Sequence, residues 1–462
     1  MGIRRDRRRT LGQLAAGLGA VAFPATWLHA ATSDSKDGKS AAGKSPAAKA
    51  PAAAKAASPP PAPVDTGPIR IGVLYPLSGP VARGGNAMAM GARIAAEQFN
   101  RAGGILGRKI ELVVRDDKSN AAEAAGVSRD LLGSGIRFIV GGYLTAPALA
   151  VISQIKDSQV LFVATGAQAM SITHEAFSKA AFRAQSNVRM NLFAVAQAVA
   201  QEHPTILRWG GATPDNAIGS ENYRVFGIAL KQAFQKKWKK DVTIAAPVLL
   251  PVAAKDLKEH IKRLTGSPVE GLFTGLAGTD YLNFMTQAKE LGLHYQVKVW
   301  ADVGQGLGVM EGLAASMPKD NLWMPIPWYP QAKGPNAVGK QLLGDYTAMA
   351  KELRPESRAD SSRMDAGVYN GHVGMTALLT AMRDAKSLEP PAVRDKLEQV
   401  KFESASGPFR FRREDHQSIQ NVVVVKLTQK GSDPGWEVSK TLTIKGDDIV
   451  EAATPGQKHD EK

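Results

Sequence analysis

The sequence contains no cysteine among its 462 residues. Disulfide bonds, thiolate metal sites and thiol nucleophiles are therefore excluded, as is the lipid-modified cysteine that anchors many exported bacterial proteins. The first predicted strand is followed by neither a phosphate-binding loop nor a dinucleotide fingerprint, and the chain has no Gly-x-Ser-x-Gly elbow. Because the usual catalytic patterns are missing, we predict that the protein is not an enzyme.

Histidine pairs and dense basic patches are also scarce. The eight histidines are scattered, and the two nearest in sequence, His174 and His203, lack the i,i+4 spacing of a helical metal site. The formal net charge is +15, but residues 236–240 form the one dense lysine cluster, which we interpret as a solvated helix end. We therefore predict no metal, no cofactor and no nucleic acid partner.

The N-terminus is typical of an export signal. Five arginines within residues 4–9 precede the small, uncharged run of residues 11–28, which ends in His29-Ala30-Ala31. We predict that residues 1–31 form a signal peptide cleaved near Ala30 or Ala31, with an uncleaved anchor as the alternative. Residues 8–11, Arg-Arg-Thr-Leu, resemble the twin-arginine signature, but Gly12 replaces the expected hydrophobic residue, so both export routes stay open.

A spacer rich in alanine, proline, lysine and serine follows, over residues 32–67. It lacks the apolar periodicity needed for a core, and we predict that it is disordered. Two interpretations stay open for it, a tether and an inert leader.

The rest of the chain alternates strand and helix patterns. A β-branched run at residues 69–75 precedes apolar residues at helical spacing over 86–100, and the alternation continues to residues 160–163. A second series starts at residues 205–209 and runs to 297–300. Such units predict two α/β domains, each with a parallel, doubly wound sheet.

The turns after the predicted strands are rich in glycine, small residues and hydroxyls. In open parallel sheets, ligands bind beyond the carboxyl ends of the strands, and helix starts suit an anion such as a carboxylate. The alternative is that the glycines only make tight turns. The six turns are residues 76–80, 141–146, 164–168, 210–212, 275–279 and 301–305.

Three segments occur in a recognisable order and spacing: LSGPVA at residues 77–82, NRAGGILG at 100–107 and VRDD at 114–117. Together they resemble the leucine-binding protein type of periplasmic substrate-binding protein, which serves ABC transporters of branched-chain amino acids. The resemblance implies an α/β fold of two Rossmann-like lobes with a three-crossing hinge, the type I periplasmic binding protein fold.

The resemblance also implies how the lobes divide the chain. The crossings are expected near Asn187, Leu322 and Ser404. The first lobe is then residues 68–187 plus 323–403, and the second is residues 188–322 plus 404–450. Residues 451–462 are expected to form a flexible tail.

The implied ligand site begins in the first lobe. Thr145 stands where the family has a serine that holds the ligand carboxylate, and Gly166 stands where a backbone group contacts the ligand. Gln168 replaces a threonine of the family, and its amide retains donor capacity. The turns add Ser78, Tyr143 and Ala146 as further candidates.

The second-lobe half of the site departs from the family. Ile218 and Ala277 stand where amino acid binders have tyrosines, and Gly84 replaces another aromatic residue. Asp302 is expected to receive a ligand ammonium if the alignment shifts by one residue, and such a buried pair would be a strong anchor. The alternative for Asp302 is a cap for the helix that follows.

The implied function is solute capture in the periplasm. The predicted ligand is an amino acid, an amide or another small carboxylate, including aromatic acids, and the predicted partner is the membrane permease of an ABC transporter. A sensor of the same fold that reports to a signalling partner is the alternative, because ligand-stabilised closure serves both functions. A purely structural envelope protein is a second alternative, which predicts no stabilisation by ligand.

Overall fold

The computed structural model describes residues 66–156, 159–304, 309, 312–330, 335–353, 364–431 and 435–461. The predicted signal peptide and nearly all of the predicted spacer lie outside the described residues. Within the described part of the chain, no helix combines the length and apolar character needed to cross a bilayer.

The first sheet is built by five parallel strands from the N-terminal part of the chain. Its order is second, first, third, fourth, fifth strand, the order of a doubly wound sheet. Helices connect the strands, and α1 begins four residues before the predicted helical spacing. The elements are β1 (Ile69–Tyr75), α1 (Ala82–Arg101), β2 (Ile110–Asp116), α2 (Ala121–Gly133), β3 (Phe138–Gly141), α3 (Thr145–Ile155), β4 (Leu161–Ala164) and β5 (Ala181–Arg183).

Both faces of this sheet are covered, as a parallel sheet requires. Side chains alternate along a strand, so Val73 and Tyr75 pack into a core with α1, while Leu74 packs on the other face with α2 and α3. Residues 69–75 therefore form a nearly continuous apolar run, which explains why the sequence pattern identified this strand correctly.

The second sheet has eight strands and collects segments from two distant parts of the chain. Its order is β16-β15-β11-β10-β9-β6-β7, with β8 beside β6. The strands β15 and β16 are antiparallel to their neighbours, and the others are parallel. The strands are β6 (Arg208–Pro214), β7 (Thr243–Ile244), β8 (Val248–Leu250), β9 (Gly271–Thr274), β10 (Val299–Asp302), β11 (Leu322–Ile326), β15 (Val422–Gln429) and β16 (Trp436–Ile444).

Eight further α-helices among the described residues divide between the two sheets. Five lie on the second sheet or follow its strands: α4 (Val188–Glu202), α5 (Ala217–Trp238), α6 (Lys258–Thr265), α7 (Gly278–Glu290) and α8 (Leu293–Gln296). Three return to the first sheet: α9 (Ala337–Leu353), α10 (Gly367–Ala385) and α11 (Pro390–Leu397). The two sheets with their helices confirm the predicted two-lobed α/β fold.

Close contact between α1 and α10 holds the first lobe together across a gap of about 280 residues in sequence. A Cβ atom on Gly91 would lie 1.9 Å from the carbonyl oxygen of Val368, and one on Gly371 would lie 1.9 Å from that of Met88. Only glycine permits the backbones of the two helices to approach this closely. The start of α10 is thereby fixed beside α1.

The second crossing between the lobes differs from the expectation. Leu322 was predicted to end the second lobe, but β11 pairs with β10 and β15, so the chain leaves the second sheet only after Ile326. All five residues of β11 are apolar and buried in that sheet, which is why the strand stays with it.

The third crossing also differs from the expectation. Ser404 lies in β12 (Lys401–Ser404), which forms a small antiparallel sheet with β13 (Gly407–Phe411) and β14 (Ser418–Gln420). Phe409 and Phe411 pack into the core of the first lobe. The chain therefore enters the second sheet at Val422 rather than near Ser404.

Two glutamines tie the first crossing to the segment that precedes the third. Gln417 Nε2 donates to the carbonyl of Gln185 at 2.8 Å, and Gln420 Nε2 donates to that of Ala184 at 3.0 Å. The hydroxyl of Tyr369, in α10, donates to Gln420 Oε1 at 2.7 Å. These bonds are buried, and they set the position of residues 184–187 beside β14.

The C-terminal residues, predicted to be a flexible tail, have buried contacts at Glu451 and Glu461, while residues 455–458 between them are exposed. Glu451 is 3% exposed, and its Oε1 accepts a hydrogen bond of 2.7 Å from Asn187 in the first crossing. Glu461 is ion-paired with Arg189 of α4. Charged side chains that reach buried partners hold this segment, a feature that composition alone does not indicate.

Candidate ligand-binding site

A cavity of about 320 Å³ lies beyond the carboxyl ends of β3 and β4. The loops after β3, β4 and β5, α1, the start of α4, the ends of β10 and β11 and the start of α10 form its walls. This is the edge at which open parallel sheets bind ligands. The lining residues are Met88, Tyr143, Leu144, Thr145, Gly166, Gln168, Gln185, Ser186, Asn191, Gly304, Pro325, Ile326, Pro327, Asp365, Ala366, Gly367 and Asn370.

Four of the predicted site residues meet in this cavity: Tyr143, Thr145, Gly166 and Gln168. They come from the loops after two adjacent strands, β3 and β4, which pair in parallel register. Parallel strands bring their carboxyl ends to one edge, so residues about 20 positions apart in sequence become neighbours.

Thr145 is the first residue of α3, and Leu144, at the N-cap position, makes no side-chain cap hydrogen bond. The first-turn N–H groups of a helix have no intrahelical acceptor, and this end carries a partial positive charge. A hydroxyl beside such a helix start suits a carboxylate. Thr145 therefore remains the predicted carboxylate contact.

Gly166 brings the backbones of two loops together. A Cβ atom on Gly166 would lie 2.5 Å from the Cα atom of Tyr143, so a larger residue would push the loops apart. The two loops thus form a narrow polar wall of the cavity. The Gly166 carbonyl in this wall accepts a hydrogen bond of 2.7 Å from Gln185 Nε2. The predicted backbone contact at Gly166 thus has its oxygen committed within the protein.

Gln168 is oriented by a short chain of side-chain hydrogen bonds. Ser186 Oγ donates to Asn191 Oδ1 at 2.8 Å, and Asn191 Nδ2 donates to Gln168 Oε1 at 3.1 Å. With its oxygen occupied, Gln168 offers its Nε2 group as a donor at the cavity wall. An amide donor is suited to a carboxylate or carbonyl oxygen of a ligand.

The ring of Tyr143 lies against α1 where the chain has glycine. A Cβ atom on Gly84 would lie 2.5 Å from both Cε2 and the hydroxyl oxygen of this ring. Burial, and the nearby carboxylate of Asp365, raise the pKa of the Tyr143 hydroxyl above its ordinary value. Tyr143 therefore remains protonated and presents a hydroxyl group that can donate.

The start of α10 contributes a wall that the sequence analysis did not include. Asp365, Ala366, Gly367 and Asn370 line the cavity. Asp365 Oδ1 accepts from the backbone N–H of Gly367 at 2.8 Å. The cavity thus contains a carboxylate, contributed by a segment about 200 residues away from the loops that hold Thr145 and Gln168.

Four of the five predicted site residues that do not line the cavity are exposed. Ser78 is exposed, and its hydroxyl donates to Asp116 Oδ2 at 2.6 Å. Ala146 is exposed on α3, and Ala277 is exposed before α7. Ile218, at the start of α5, is 73% exposed. Ile218 and Ala277 thus lie on the surface of the second lobe.

Asp302 does not reach the cavity either. It is fully buried, its Oδ2 accepts from the Thr274 hydroxyl at 2.9 Å, and its Oδ1 accepts from the Gly304 N–H at 2.8 Å. Both oxygens are therefore used inside the second lobe. The bond to Gly304 supports the alternative for Asp302, in which its side chain accepts from the backbone that follows it. Residues 305–308, in the segment expected to be that helix, lie outside the described residues.

The sequence offered signals for only some of the missed residues. Gln185 and Ser186 follow β5, so the strand-end rule would have included them if that short strand had been identified. Asp365 and Asn370 carry no such signal. They reach the cavity because α10 packs on α1, a contact that depends on the tertiary fold.

One group of residues has the composition of a metal site but not its electrostatics. Ligand atoms of His174, Asp415 and Glu451 lie within 4.8 Å of one another. Arg412 Nη2 lies 2.6 Å from Asp415 Oδ2 and 3.7 Å from Glu451 Oε1. A guanidinium already neutralises these carboxylates, so the group is better described as a buried ion-pair network.

The family model described as periplasmic binding protein matches residues 68–432, most of the chain. The chain belongs to the periplasmic binding protein family. The members of this family bind solutes and are not enzymes, and a general solute-binding role follows for this protein.

Individual periplasmic binding proteins are similar over different parts of the chain. A Leu/Ile/Val-binding protein of Rhizobium johnstonii is 36% identical over 112 residues, which cover 24% of this chain and 30% of the relative. A leucine-, isoleucine-, valine-, threonine- and alanine-binding protein of Pseudomonas aeruginosa is 24% identical over 347 residues, 74% of this chain and 85% of the relative.

Solved structures show the same fold. A solute-binding protein of an ABC transporter from R. palustris, in complex with 4-hydroxybenzoate, superposes with a TM-score of 0.65. It is 20% identical, and the superposition covers 82% of this chain and 97% of that chain. The likeness establishes the two-lobed architecture of this protein.

Proposed function

We propose that the protein is the extracytoplasmic solute-binding component of an ABC importer and captures a small amino-acid-like or carboxylate ligand between its lobes. The observation that carries this proposal is the cavity at the carboxyl edge of the first sheet, where Thr145, Gln168 and the start of α3 converge. These groups are donors in a partly enclosed site, which suits a small anionic group.

The comparisons support a ligand with a carboxylate. The named ligands of the two relatives are amino acids, and that of the R. palustris protein is 4-hydroxybenzoate. All of these molecules carry a carboxylate, and they differ in the remainder of the structure. We infer that the donors around Thr145 hold the carboxylate and that other walls of the cavity select the rest.

Closure of the second lobe over the ligand is the proposed capture step. Ile218 is 73% exposed and Val252 is 61% exposed at the carboxyl edge of the second sheet, near the ends of β6 and β8. Exposed aliphatic side chains at this edge would gain about 25 cal/mol for each Å² that closure removes from water. They would then cover the apolar part of a ligand held by the first lobe.

The proposed partner is the membrane permease of an ABC transporter, and the proposed place is the periplasm. The signal-peptide interpretation of residues 1–31 supports export, although this segment lies outside the described residues. The sensor alternative uses the same closure and makes the same thermodynamic prediction, so ligand binding is tested first.

Thermal melting of the purified protein against a panel of amino acids, amides and aromatic acids tests the proposal. A ligand present at 100 times its dissociation constant should add about 2.7 kcal/mol of stability. The melting temperature should rise with one chemical class and not with sugars at equal concentration. No rise with any amino acid, amide or carboxylate would contradict solute capture by this cavity. Once a ligand is found, its uptake by cells lacking the gene separates transport from sensing.

A further inference from the structure

Asn370 lines the cavity and has a buried hydrogen-bond acceptor that no described group uses. It is 4% exposed, and its Nδ2 donates to Gln185 Oε1 at 2.6 Å. Gln185 Nε2 in turn donates to the Gly166 carbonyl at 2.7 Å, which fixes the orientation of both amides. Among the described residues, Asn370 Oδ1 is buried without a partner. A buried acceptor without a donor is unfavourable, so a ligand donor at this place would be favoured.

Asp365 supplies a negative charge in the same part of the cavity, at the start of α10. Its Oδ1 accepts from the Gly367 N–H, and its Oδ2 lies 3.9 Å from Nε of Arg83. The Asp365 side chain is 22% exposed, whereas that of Arg83 is 54% exposed. A long ion pair with a largely exposed arginine is weak, because solvent screens it. The carboxylate therefore retains much of its attraction for a second cation.

We propose that Asp365 and Asn370 Oδ1 form a subsite for the ammonium group of an amino acid ligand, so that the cavity selects amino acids over the corresponding acids without the amine. An ammonium has three donors and a positive charge, and these match one carboxylate and one unpartnered amide oxygen. This inference rests on the proposed function and makes it more specific. It replaces the expected role of Asp302, whose oxygens are occupied in the second lobe.

A ligand without an amine would fit this wall poorly. A plain carboxylate would bring no donor to Asn370 Oδ1 and would add a second negative charge near Asp365. The neutral hydroxyl of a phenol or alcohol would offer one donor but no charge. Of these groups, the ammonium alone satisfies both the acceptor and the carboxylate, and specificity of this kind depends on the penalty that the other groups incur.

Isothermal titration calorimetry of the full chain with paired ligands tests the subsite. The pairs are L-leucine with 4-methylpentanoate and L-phenylalanine with 3-phenylpropanoate, which differ only by the amine. We expect at least one amino acid to bind about 10 times more tightly than its partner, a difference typical of one good charge-assisted contact.

The variant Asp365→Asn removes the charge but keeps an oxygen that can accept from the Gly367 N–H, because Asn and Asp are both good at helix starts. It should lose most of the preference for the amino acid and leave the affinity for the acid unchanged or higher. Asp365→Ser, which also retains an acceptor, should give the same result. Melting without ligand checks that both variants are folded.

Asp256→Asn is the matched control. Asp256 Oδ1 accepts from the Lys258 N–H at 3.0 Å, the same i,i+2 geometry, but at the exposed start of α6 and outside the cavity. This variant should retain the preference of the unmodified protein.

The outcomes separate the subsite from the proposed function. Equal or tighter binding of the acid would overturn the ammonium subsite and leave solute capture intact, and so would an unaltered preference in Asp365→Asn. Absence of binding by every member of both pairs would overturn the subsite, and the wider melting panel would then decide on solute capture.

Discussion

The hydroxyl oxygen of Tyr143 lies 2.5 Å from the position that a Cβ atom on Gly84 would occupy. The family resemblance places an aromatic residue at position 84, and here the ring of Tyr143 fills that space from the neighbouring loop. The two positions therefore depend on each other, and the wall of the cavity can be changed by a substitution outside its lining.

Gly84→Ala should move Tyr143 and weaken ligand binding. The methyl group would contact the far end of a flexible side chain, so the ring can shift without unfolding the lobe. We expect a fall in affinity of about fivefold or more, equivalent to about 1 kcal/mol, with the stability of the free protein nearly unchanged. Titration of the ligand found in the melting panel measures this.

Gly126→Ala is the control for that substitution. Gly126 lies in α2, and a Cβ atom there would meet only a distal nitrogen of Arg129 at 3.9 Å. The change should raise stability by about 0.5–1 kcal/mol through helix propensity and leave affinity as it was. An unchanged affinity in Gly84→Ala as well would show that the ring position does not matter.

Thr145→Val should reduce binding of carboxylate ligands while the protein remains folded. Valine has nearly the shape of threonine but no hydroxyl, so the proposed bond to the ligand is lost and the helix start is retained. A hydrogen bond to a charged group contributes about 1.5–3 kcal/mol, which corresponds to a loss of at least tenfold in affinity. Thr265→Val, in α6, serves as the control, and full affinity in Thr145→Val would remove Thr145 from the site.

Gln420→Leu should destabilise the protein strongly. It would leave the Ala184 carbonyl without its bond from Gln420 Nε2, and the Tyr369 hydroxyl with Ser404 Oγ, at 3.0 Å, as its remaining partner. Because these groups are buried, we expect a loss of roughly 2–4 kcal/mol in urea denaturation. The exposed Gln399→Leu should change stability by about 0.5 kcal/mol or less. Equal effects of the two variants would mean that the bonds between the crossings contribute little.

Glu451 should make the stability depend on pH in acid. Burial opposes its ionisation, but hydrogen bonds from His174 and Asn187 and the charge of Arg183 lower its pKa from 4.5 to about 2. A carboxyl group with a lower pKa in the folded state stabilises the protein above its unfolded pKa, and this contribution is lost as the pH falls from about 4.5 to 2. The contribution is at most about 3 kcal/mol.

Chemical denaturation at several pH values, compared with Glu451→Gln, measures this contribution. The variant should be less stable at pH 7, and the difference from the unmodified protein should shrink between pH 4.5 and 2. The exposed Glu259→Gln should follow the unmodified protein throughout. A constant difference for Glu451→Gln would show that its ionisation is not linked to folding.

The position of the ammonium subsite depends on the packing of α10 against α1. Asp365 and Asn370 lie at the start of α10, and this helix is placed by its glycine contacts with α1. Gly371→Ala would bring a Cβ atom to 1.9 Å from the Met88 carbonyl oxygen, so it should disturb the whole helix pair and not the subsite alone. For this reason the subsite is tested by the charge at Asp365.

The sequence by itself was sufficient for the fold class and for four of the residues that line the cavity. Strand patterns such as residues 69–75 are local, and the turns that the sequence places after β3 and β4 contain Tyr143, Thr145, Gly166 and Gln168, which line one cavity. Local patterns succeed here because each loop follows the strand that positions it.

Only the tertiary structure decided the rest. Asp365 and Asn370 reach the cavity through packing between helices that are distant in sequence, and Asp302 is excluded from it because Thr274 and Gly304 occupy its oxygens. The second and third crossings lie later in the chain than predicted for a similar reason. β11 pairs with β15 in the second sheet, and the apolar side chains of β13 are buried in the core of the first lobe. Contacts between remote segments depend on which partners are near in space, and no pattern within a single segment records them.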